Sequence, residues 1–408
     1  MKSVLFLIDN NPNNKAEMLS LIKTAGYINI AVFSQNIKEI NKSYYIGSGK
    51  VKELLADLIM LDIKDPLKII FDVELNATQK RNLVDELNYE VMDRTELIIE
   101  IFEKNANTIE AKLQVEIAKL KYMASRLVDK DANYSQVTSG SGHNKGEGES
   151  QKELSRRQIS LAINQRKRRL EKLKNSRKTA RNKRNSSSLP VVALVGYTNV
   201  GKSTLMNALL KKSKKIDAKN VLVEDKLFAT LETSSRLIDI YGFPPFILTD
   251  SVGFISNLPH FLVESFKSTL EEINDADFLL HIHDISSSKL KEEDLTVHEV
   301  LEQIGASDIP QIDIYNKSDR LEFTPFINTL FVTSFKNEDD IPGVVHYIWD
   351  NMSANWEKRT IFVPYDYDFT QIQRDNYVVE KTNKKDGIMA TMRFNPIFRY
   401  KYKEYLFD

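Results

Sequence analysis

The 408-residue chain contains no cysteine. Disulfides, thiolate metal sites and redox chemistry at sulfur are therefore excluded. An excess of either charge is also missing, since 57 Lys and Arg balance 57 Asp and Glu. No global field draws the chain to nucleic acid or membrane, so any such attraction must come from local asymmetry. Long apolar runs are absent as well. The first one, Val4-Leu5-Phe6-Leu7-Ile8, meets Asp9-Asn10-Asn11 at once. It is too short for a signal segment and reads as a buried strand. No run approaches a membrane span. These absences predict a cytoplasmic protein, with peripheral association as the one membrane role left open. What is present, 42% apolar residues over this length, is ordinary for a globular chain of two or three domains.

Residues 1–100 alternate strand-like and helix-like segments. Strands are expected at 4–8, 28–33 and 67–71, and helices at 15–25, 51–61 and 76–87. Gly26 follows the first helix as a C-cap, and Gly47-Ser48-Gly49 makes a turn before the second. This rhythm predicts an N-terminal α/β domain with a parallel sheet. Residues 95–128 read as continuous helix, with Ile109, Leu113, Ile117, Leu120, Ala124 and Leu127 on one face. Residues 135–150 carry Gly140, Gly142, Gly146 and Gly148 among polar residues and read as a connector or functional loop. Residues 152–184 then hold 14 Lys or Arg against two acids, Glu153 and Glu171. Ile159, Ile163, Leu170 and Leu173 form a thin apolar seam there, interrupted by Arg166. Residues 101–188 are thus expected to be a helical arm with a glycine-rich loop and a basic helix.

A second α/β domain is expected over 189–357. Its buried strands are read at 191–195, 246–248, 278–282, 311–315 and 329–332. Residues 358–408, with strand-like pieces at 361–363, 377–379 and 388–394, form a small C-terminal α+β unit.

Gly196-Tyr197-Thr198-Asn199-Val200-Gly201-Lys202-Ser203 fits G-x-x-x-x-G-K-[ST], the phosphate-binding loop. A buried strand runs into it and a helix beginning near Thr204 follows. Glycine lets the backbone wrap phosphates, and the helix N-terminus adds favourable dipole charge. Lys202 should reach the β- and γ-phosphates, and the Ser203 hydroxyl should bind Mg²⁺. A chance match in such a chain has a probability of about one or two per cent. Two further motifs follow in order, which removes that reading.

Asp250-Ser251-Val252-Gly253 ends an apolar strand. There Asp250 can hold Mg²⁺ through water, and the Gly253 N–H can approach the γ-phosphate. Asn316-Lys317-Ser318-Asp319 ends another. The Asp319 carboxylate can accept from guanine N1–H and the exocyclic amine together, a pattern that adenine lacks. Asn316 is expected on the other purine edge and the Lys317 stem over the ring. Ser334-Phe335-Lys336 would offer a backbone N–H to the guanine oxygen. Phe228-Ala229-Thr230-Leu231-Glu232-Thr233 lies between the first two motifs, and Thr230 is the choice to close the Mg²⁺ shell, with Thr233 its competitor. Lys202, Thr230 and Gly253 are the candidates for acting on the γ-phosphate. The ligands are therefore GTP and GDP.

Many GTPases carry a glutamine after the D-x-x-G glycine to orient water. Here the residue is Phe254, so intrinsic hydrolysis should be slow unless another group helps, and a partner that orders Phe254 and the loop around Thr230 could complete the site. Asn199 could help hold K⁺ beside the phosphates, or merely stabilise the loop. His281 and His283 fall on one strand face inside the sheet and read as packing residues rather than metal ligands. Gly47-Ser48-Gly49-Lys50 lacks phosphate-loop spacing and reads as a plain turn.

The sequence resembles the HflX GTPases, within the translation-factor-related class. The resemblance rests on Ile46-Gly47-Ser48-Gly49-Lys50, Asn76-Ala77-Thr78-Gln79-Lys80-Arg81-Asn82-Leu83, Asp93-Arg94-Thr95 and Glu110-Ala111-Lys112-Leu113-Gln114-Val115-Glu116. Gly196 to Ser203, Asp225 to Leu231 and Asp250 to Phe254 continue it, so it covers nearly the whole chain. One departure is the loop Ser139-Gly140-Ser141-Gly142-His143-Asn144-Lys145-Gly146-Glu147-Gly148-Glu149, where the family runs G-G-x-G-T-[KR]-G-P-G-E. Glu147 stands at the proline position.

The resemblance implies a Ras-like P-loop G domain and a cytoplasmic GTPase, expected as a monomer. It implies binding to the large ribosomal subunit and its RNA, and a role in splitting or rescuing ribosomes. The basic residues 152–184 suit such a partner, because phosphate contacts dominate RNA affinity. Two alternatives remain open: an RNA-binding chaperone or helicase-like factor regulated by GTP, and a switch acting on a protein target.

Overall fold

The computed structural model describes residues 1–9, 11–62, 65–129, 145–182, 189–213, 234–250, 253–255, 258–321 and 331–403. They fall into two compact units. One comprises Met1–Thr179 with Asn257–Phe266, the other Ala180–Asp225, Glu232–Ser256 and Lys267–Asp408. The expected α/β class holds, with parallel sheets in both.

The first unit begins β1(Lys2–Leu7), α1(Pro12–Thr24), β2(Ile28–Ser34), α2(Ser48–Met60), β3(Leu67–Phe71), α3(Ala77–Leu87) and β4(Glu90–Met92). The strands form one parallel sheet of order β2-β1-β3-β4. Val4, Phe6, Ile69, Phe71, Leu54, Leu58 and Leu83 fill one core beneath it. Gly26 ends α1 as expected, at φ 81°. The Tyr27 N–H reaches the Ile22 carbonyl at 3.0 Å and the Gly26 N–H the Lys23 carbonyl at 3.0 Å, the paired bonds of a Schellman stop. Asn76 and Gln79 form a reciprocal capping box on α3.

The expected continuous helix over 95–128 is instead two: α4(Arg94–Asn105) and α5(Ile109–Asp129). Ala106 is extended, and the Thr108 hydroxyl accepts from the Ala111 N–H at 3.2 Å, capping α5. Apolar periodicity continued through the break because both helices face one core. The next helix, α6(Lys145–Asn182), begins inside the expected connector. Gly146 and Gly148 are therefore helical, a cost of about 1 kcal/mol each against Ala that cooperative growth of a long helix absorbs. Residues 135–144 lie outside the described residues.

In the second unit come β5(Val191–Val195), α7(Lys202–Lys212), β6(Ser234–Ile238), β7(Phe246–Asp250), β8(Phe278–Asp284), α9(Leu290–Ile304), β9(Gln311–Asn316) and α10(Ile341–Met352), while α8(His260–Leu270) belongs to the first unit as far as Phe266. The sheet order is β6-β7-β5-β8-β9, parallel except for β6. The polar edge strand β6 was not anticipated. The strand expected at 329–332 is only a bridge of Val332 to Tyr315, residues 322–330 lying outside the described set. A three-stranded antiparallel sheet, β10(Glu357–Pro364), β12(Gly387–Phe394) and β11(Tyr377–Asn383) in that order, follows with α11(Phe369–Asp375). It does not stand apart from the second unit. Arg374 pairs with Asp239 at 2.9 Å, and Tyr377 stacks on Phe243 and Trp349.

Asp93, fully buried, is the hub of the first unit. Its Oδ1 accepts from the Glu96 N–H at 2.8 Å, capping α4. Its Oδ2 accepts from the Tyr122 hydroxyl at 2.9 Å and from Arg126. Removing one partner of such a pair strands a buried charge. Asp93→Ala should therefore cost about 3–5 kcal/mol. Asn76→Ala, which removes only a cap, should cost about 1 kcal/mol. Urea unfolding of both variants checks this, and equal midpoints would contradict it.

Candidate nucleotide site

β5 is buried from Val192 to Val195 and delivers the chain to a tight loop at the C-terminal edge of the sheet, where open α/β folds bind ligands. The loop holds Gly196 at φ 142°, Asn199 at 62° and Gly201 at 108°. A Cβ on Gly196 would lie 2.4 Å from the Ile282 carbonyl oxygen, and one on Gly201 2.3 Å from Asn316 Nδ2. Both glycines are thus dictated by close approach as well as by φ. No side chain caps α7, so its first N–H groups are free to meet phosphate oxygens.

Lys202 is buried, and its Nζ donates to the carbonyls of Gly196 at 2.8 Å and Tyr197 at 2.6 Å. Burial pushes its pKa down to about 8, opposed by Asp250 and assisted by Lys317. Ser203 Oγ lies 3.4 Å from Asp250 Oδ2. A hydroxyl and a carboxylate side by side form the hard oxygen set that Mg²⁺ takes. Gly253 also permits close approach, since a Cβ there would lie 2.8 Å from Thr198 Cγ2 and 3.1 Å from Lys202 Nζ. Phe254 is already packed, the residue being 2% exposed. Its carbonyl accepts from the Thr198 N–H at 2.7 Å, and its N–H donates to the Gly196 carbonyl at 3.3 Å. Phe254 is thus bridged to the phosphate loop in the absence of any partner.

Asn316 does more than the purine contact expected of it. Its Nδ2 donates to the Val200 carbonyl at 2.7 Å and its Oδ1 accepts from the Phe335 N–H at 3.0 Å. Lys317 adopts φ 68°, and its Nζ is held by Asp284 Oδ2 at 2.6 Å. Asp319 accepts from the Ser334 hydroxyl at 2.8 Å. That bond, with Lys336 nearby, holds its carboxyl below the usual range. The Ser334 N–H is taken by Asp340 at 3.2 Å, so of the Ser334-Phe335-Lys336 amides only that of Lys336 has no bond among the described residues. Ser318 N–H donates to the Thr333 carbonyl at 3.2 Å.

Phe228, Ala229, Thr230, Leu231, Glu232, Ser251 and Val252 lie outside the described residues. The others, Gly196 to Thr204, Asp250, Gly253, Asn316 to Asp319 and Ser334 to Lys336, gather at one end of the second unit's parallel sheet. Sequence reasoning gave no part in this site to Asp284 or Asp340, which hold Lys317 and the Ser334 N–H. Asp284 carried a signal, as an acid closing a buried strand. Asp340 carried none beyond capping chemistry.

Three family models match the chain. One, described as GTP-binding GTPase N-terminal, covers residues 13–103. One, described as GTP-binding GTPase Middle Region, covers 105–184, and one, described as 50S ribosome-binding GTPase, covers 191–317. The chain is 38% identical over 393 residues to the GTPase HflX of Caldanaerobacter subterraneus subsp. tengcongensis, covering 95% of this chain and 89% of that protein. It is 38% identical over 326 residues to the GTPase HflX of Escherichia coli (strain K12), covering 80% and 74%. A crystal structure of SsGBP with GDP matches in fold, at 22% identity and a TM-score of 0.50, covering 86% of this chain and 97% of that one.

The buried lysine makes nucleotide binding proton-linked. Between pH about 8 and the ordinary lysine value, the folded ligand-free protein holds fewer protons than the unfolded chain. Its stability should therefore rise with pH across that window. Phosphate beside Lys202 restores the charged form, so GDP binding at about pH 9 should take up close to one proton, and at about pH 7 little. Calorimetry in buffers of different ionisation enthalpy reads this directly. A binding heat at the higher pH that does not depend on buffer would contradict it.

Proposed function

From the premise that this chain belongs to the GTPase HflX family and hydrolyses GTP, we propose that hydrolysis is coupled to binding of the large ribosomal subunit and its RNA, to split or rescue ribosomes. The observation that carries this reading is the face of α6. Arg156, Arg157, Lys167, Arg168, Arg169 and Lys172 are exposed on it, and Glu171 is the one acid between residues 155 and 173. Arg166 lines the same groove as Arg168, Arg169 and Lys172, but its charge is already paired, Nε to Glu116 at 2.6 Å. A dense cationic stripe beside few acids suits an RNA backbone. Among the described residues no helix is long and apolar enough to cross a membrane. A monomer working in the cytoplasm fits the reading.

At the nucleotide, the α7 N-terminus and the loop amides bind the phosphates. Lys202 turns from its carbonyl partners to the β- and γ-phosphate oxygens, which offsets the cost of burying its charge. Asp319 accepts from the guanine edge, and the Lys336 N–H is the amide left for the guanine oxygen. Ser203 and Asp250 would hold Mg²⁺, with Thr230 added when a γ-phosphate is present. When bound, the ion neutralises charge developing on the phosphate oxygens. Water attacks the γ-phosphorus and the bond to the β-phosphate oxygen breaks, giving GDP and phosphate. Phe254 has no group to position that water, so the free protein is slow and the partner acts on the segment around Thr230.

Large subunits should raise the hydrolysis rate at least tenfold, about 1.4 kcal/mol off the barrier. Reversing charge at Lys167, Arg168 and Arg169 should weaken subunit binding and flatten its salt dependence. Phosphate release and co-sedimentation measure the two effects. An unchanged full-length rate with subunits would sink the coupling. RNA remodelling that persists in a variant unable to bind GTP would favour the chaperone reading instead.

Asn199 bears on K⁺. It is exposed at left-handed φ, and its side chain has no hydrogen bond among the described residues, which favours the cation role over loop stabilisation. K⁺ should accelerate hydrolysis over Na⁺ at matched ionic strength, and Asn199→Ala should abolish the difference. Equal rates in both salts would rule this out.

A further inference from the structure

On sequence alone His281 and His283 are packing residues of β8. The structure brings two carboxylates and a third histidine to them. His281 lies opposite Asp313 in the β8–β9 register, and His283 opposite Tyr315, so the side chains share one face of the sheet. His283 Nε2 is 3.0 Å from Asp313 Oδ1, and His281 Nδ1 is 3.6 Å from the same oxygen. From α9, Asp294 Oδ1 approaches His281 Nδ1 to 3.7 Å and His283 Nδ1 to 3.8 Å. His298 stands at the rim, its Nδ1 3.4 Å from Asp294 Oδ1. Three of the chain's six histidines thus meet in one place.

Packing explains this cluster poorly. His281 and His283 are 1% and 6% exposed, and Asp294 Oδ1 is buried with no hydrogen-bond partner among the described residues. A buried carboxylate oxygen left so is costly unless a cation serves it. The exposed Gln311 supplies a second clue. Its Nε2 donates to Asp313 Oδ1 at 2.6 Å and to His281 Nδ1 at 3.0 Å. An amide nitrogen can only donate, so the lone pair of His281 Nδ1 faces the centre. The amide is standing where a cation would bond both atoms.

We propose that His281, His283 and Asp313 bind a divalent first-row transition ion of the zinc class, with Asp294 beside them and Gln311 as a cap that swings out. Metal–ligand bonds of about 2.0–2.1 Å in tetrahedral geometry place ligand atoms roughly 3.3 Å apart. The candidate ligand atoms all lie within 4.8 Å of one another, and the two His–Asp separations of 3.0 and 3.6 Å bracket that spacing. Two imidazoles with carboxylates select zinc-like ions over Mg²⁺ or Ca²⁺. Ligation through His283 Nε2 leaves its Nδ1–H facing Asp294, the carboxylate–histidine arrangement that fixes a ligand's tautomer. The site lies one residue before Asp284, which holds Lys317, and is separate from the Ser203–Asp250 oxygens.

The test uses the full chain, stripped of metal and free of nucleotide, titrated with Co²⁺ and followed by its visible ligand-field absorption, with Zn²⁺ as competitor. One Co²⁺ per chain with a four-coordinate spectrum, displaced by Zn²⁺, is expected. His283→Gln and Asp313→Asn should each weaken binding at least tenfold. Gln311→Ala, at an exposed position that leaves the ligands in place, should bind as well or more tightly, and Ser203→Ala should bind unchanged. Absence of saturable Co²⁺ binding by the unaltered chain would overturn the site, as would undiminished binding by both ligand variants.

Discussion

The carboxamide of Asn316 spans the gap between the phosphate loop and the loop at Phe335, proposed to face the base. It donates to Val200 on one side and accepts from Phe335 on the other. Gly201 must lack a side chain because that amide occupies the space where a Cβ would be. From the opposite side the backbone of Phe254 bonds the same phosphate loop at Thr198 and Gly196. Of the three residues at positive φ only Asn199 carries backbone strain, since Gly196 and Gly201 adopt it freely. Braced from both sides, the loop presents its amides in one arrangement before any nucleotide arrives, and preorganised donors are what phosphoryl transfer most needs.

The braces extend outward through single contacts. Asp284 fixes Lys317, Asp340 fixes Ser334, and Ser334 in turn holds Asp319. Lys317 and Ser334 are thus each held by an acid outside the expected site, and Asp319 by Ser334. Lys202 differs, because among the described residues its ammonium hydrogen-bonds only backbone carbonyls in a buried place, with Asp250 as the nearby opposite charge.

Much of this was legible in the sequence because the motifs are local. A phosphate loop needs its glycines and lysine within eight residues, and a strand before it. The helix stop at Gly26 was legible for the same reason. Non-local partners were not. Asp340 reaches Ser334 only after α10 is placed, and Asp313 and Asp294 reach His283 only once β9 and α9 pack on β8. The polar edge strand β6 lacked an apolar signal, because an edge strand needs little burial. The break at Ala106 was hidden by an apolar period shared by two helices on one core.

Whether Asn316 braces the phosphate loop or only touches the purine is open to one direct measurement. Tripolyphosphate has no base, so a residue that merely reads guanine cannot affect it. Binding of tripolyphosphate with Mg²⁺ should be compared between the unaltered chain and Asn316→Ala, by competition against labelled GDP. If Asn316 is the brace, the variant should bind tripolyphosphate at least tenfold more weakly, about 1.4 kcal/mol. Equal tripolyphosphate affinity, with only guanine nucleotides weakened, would contradict it.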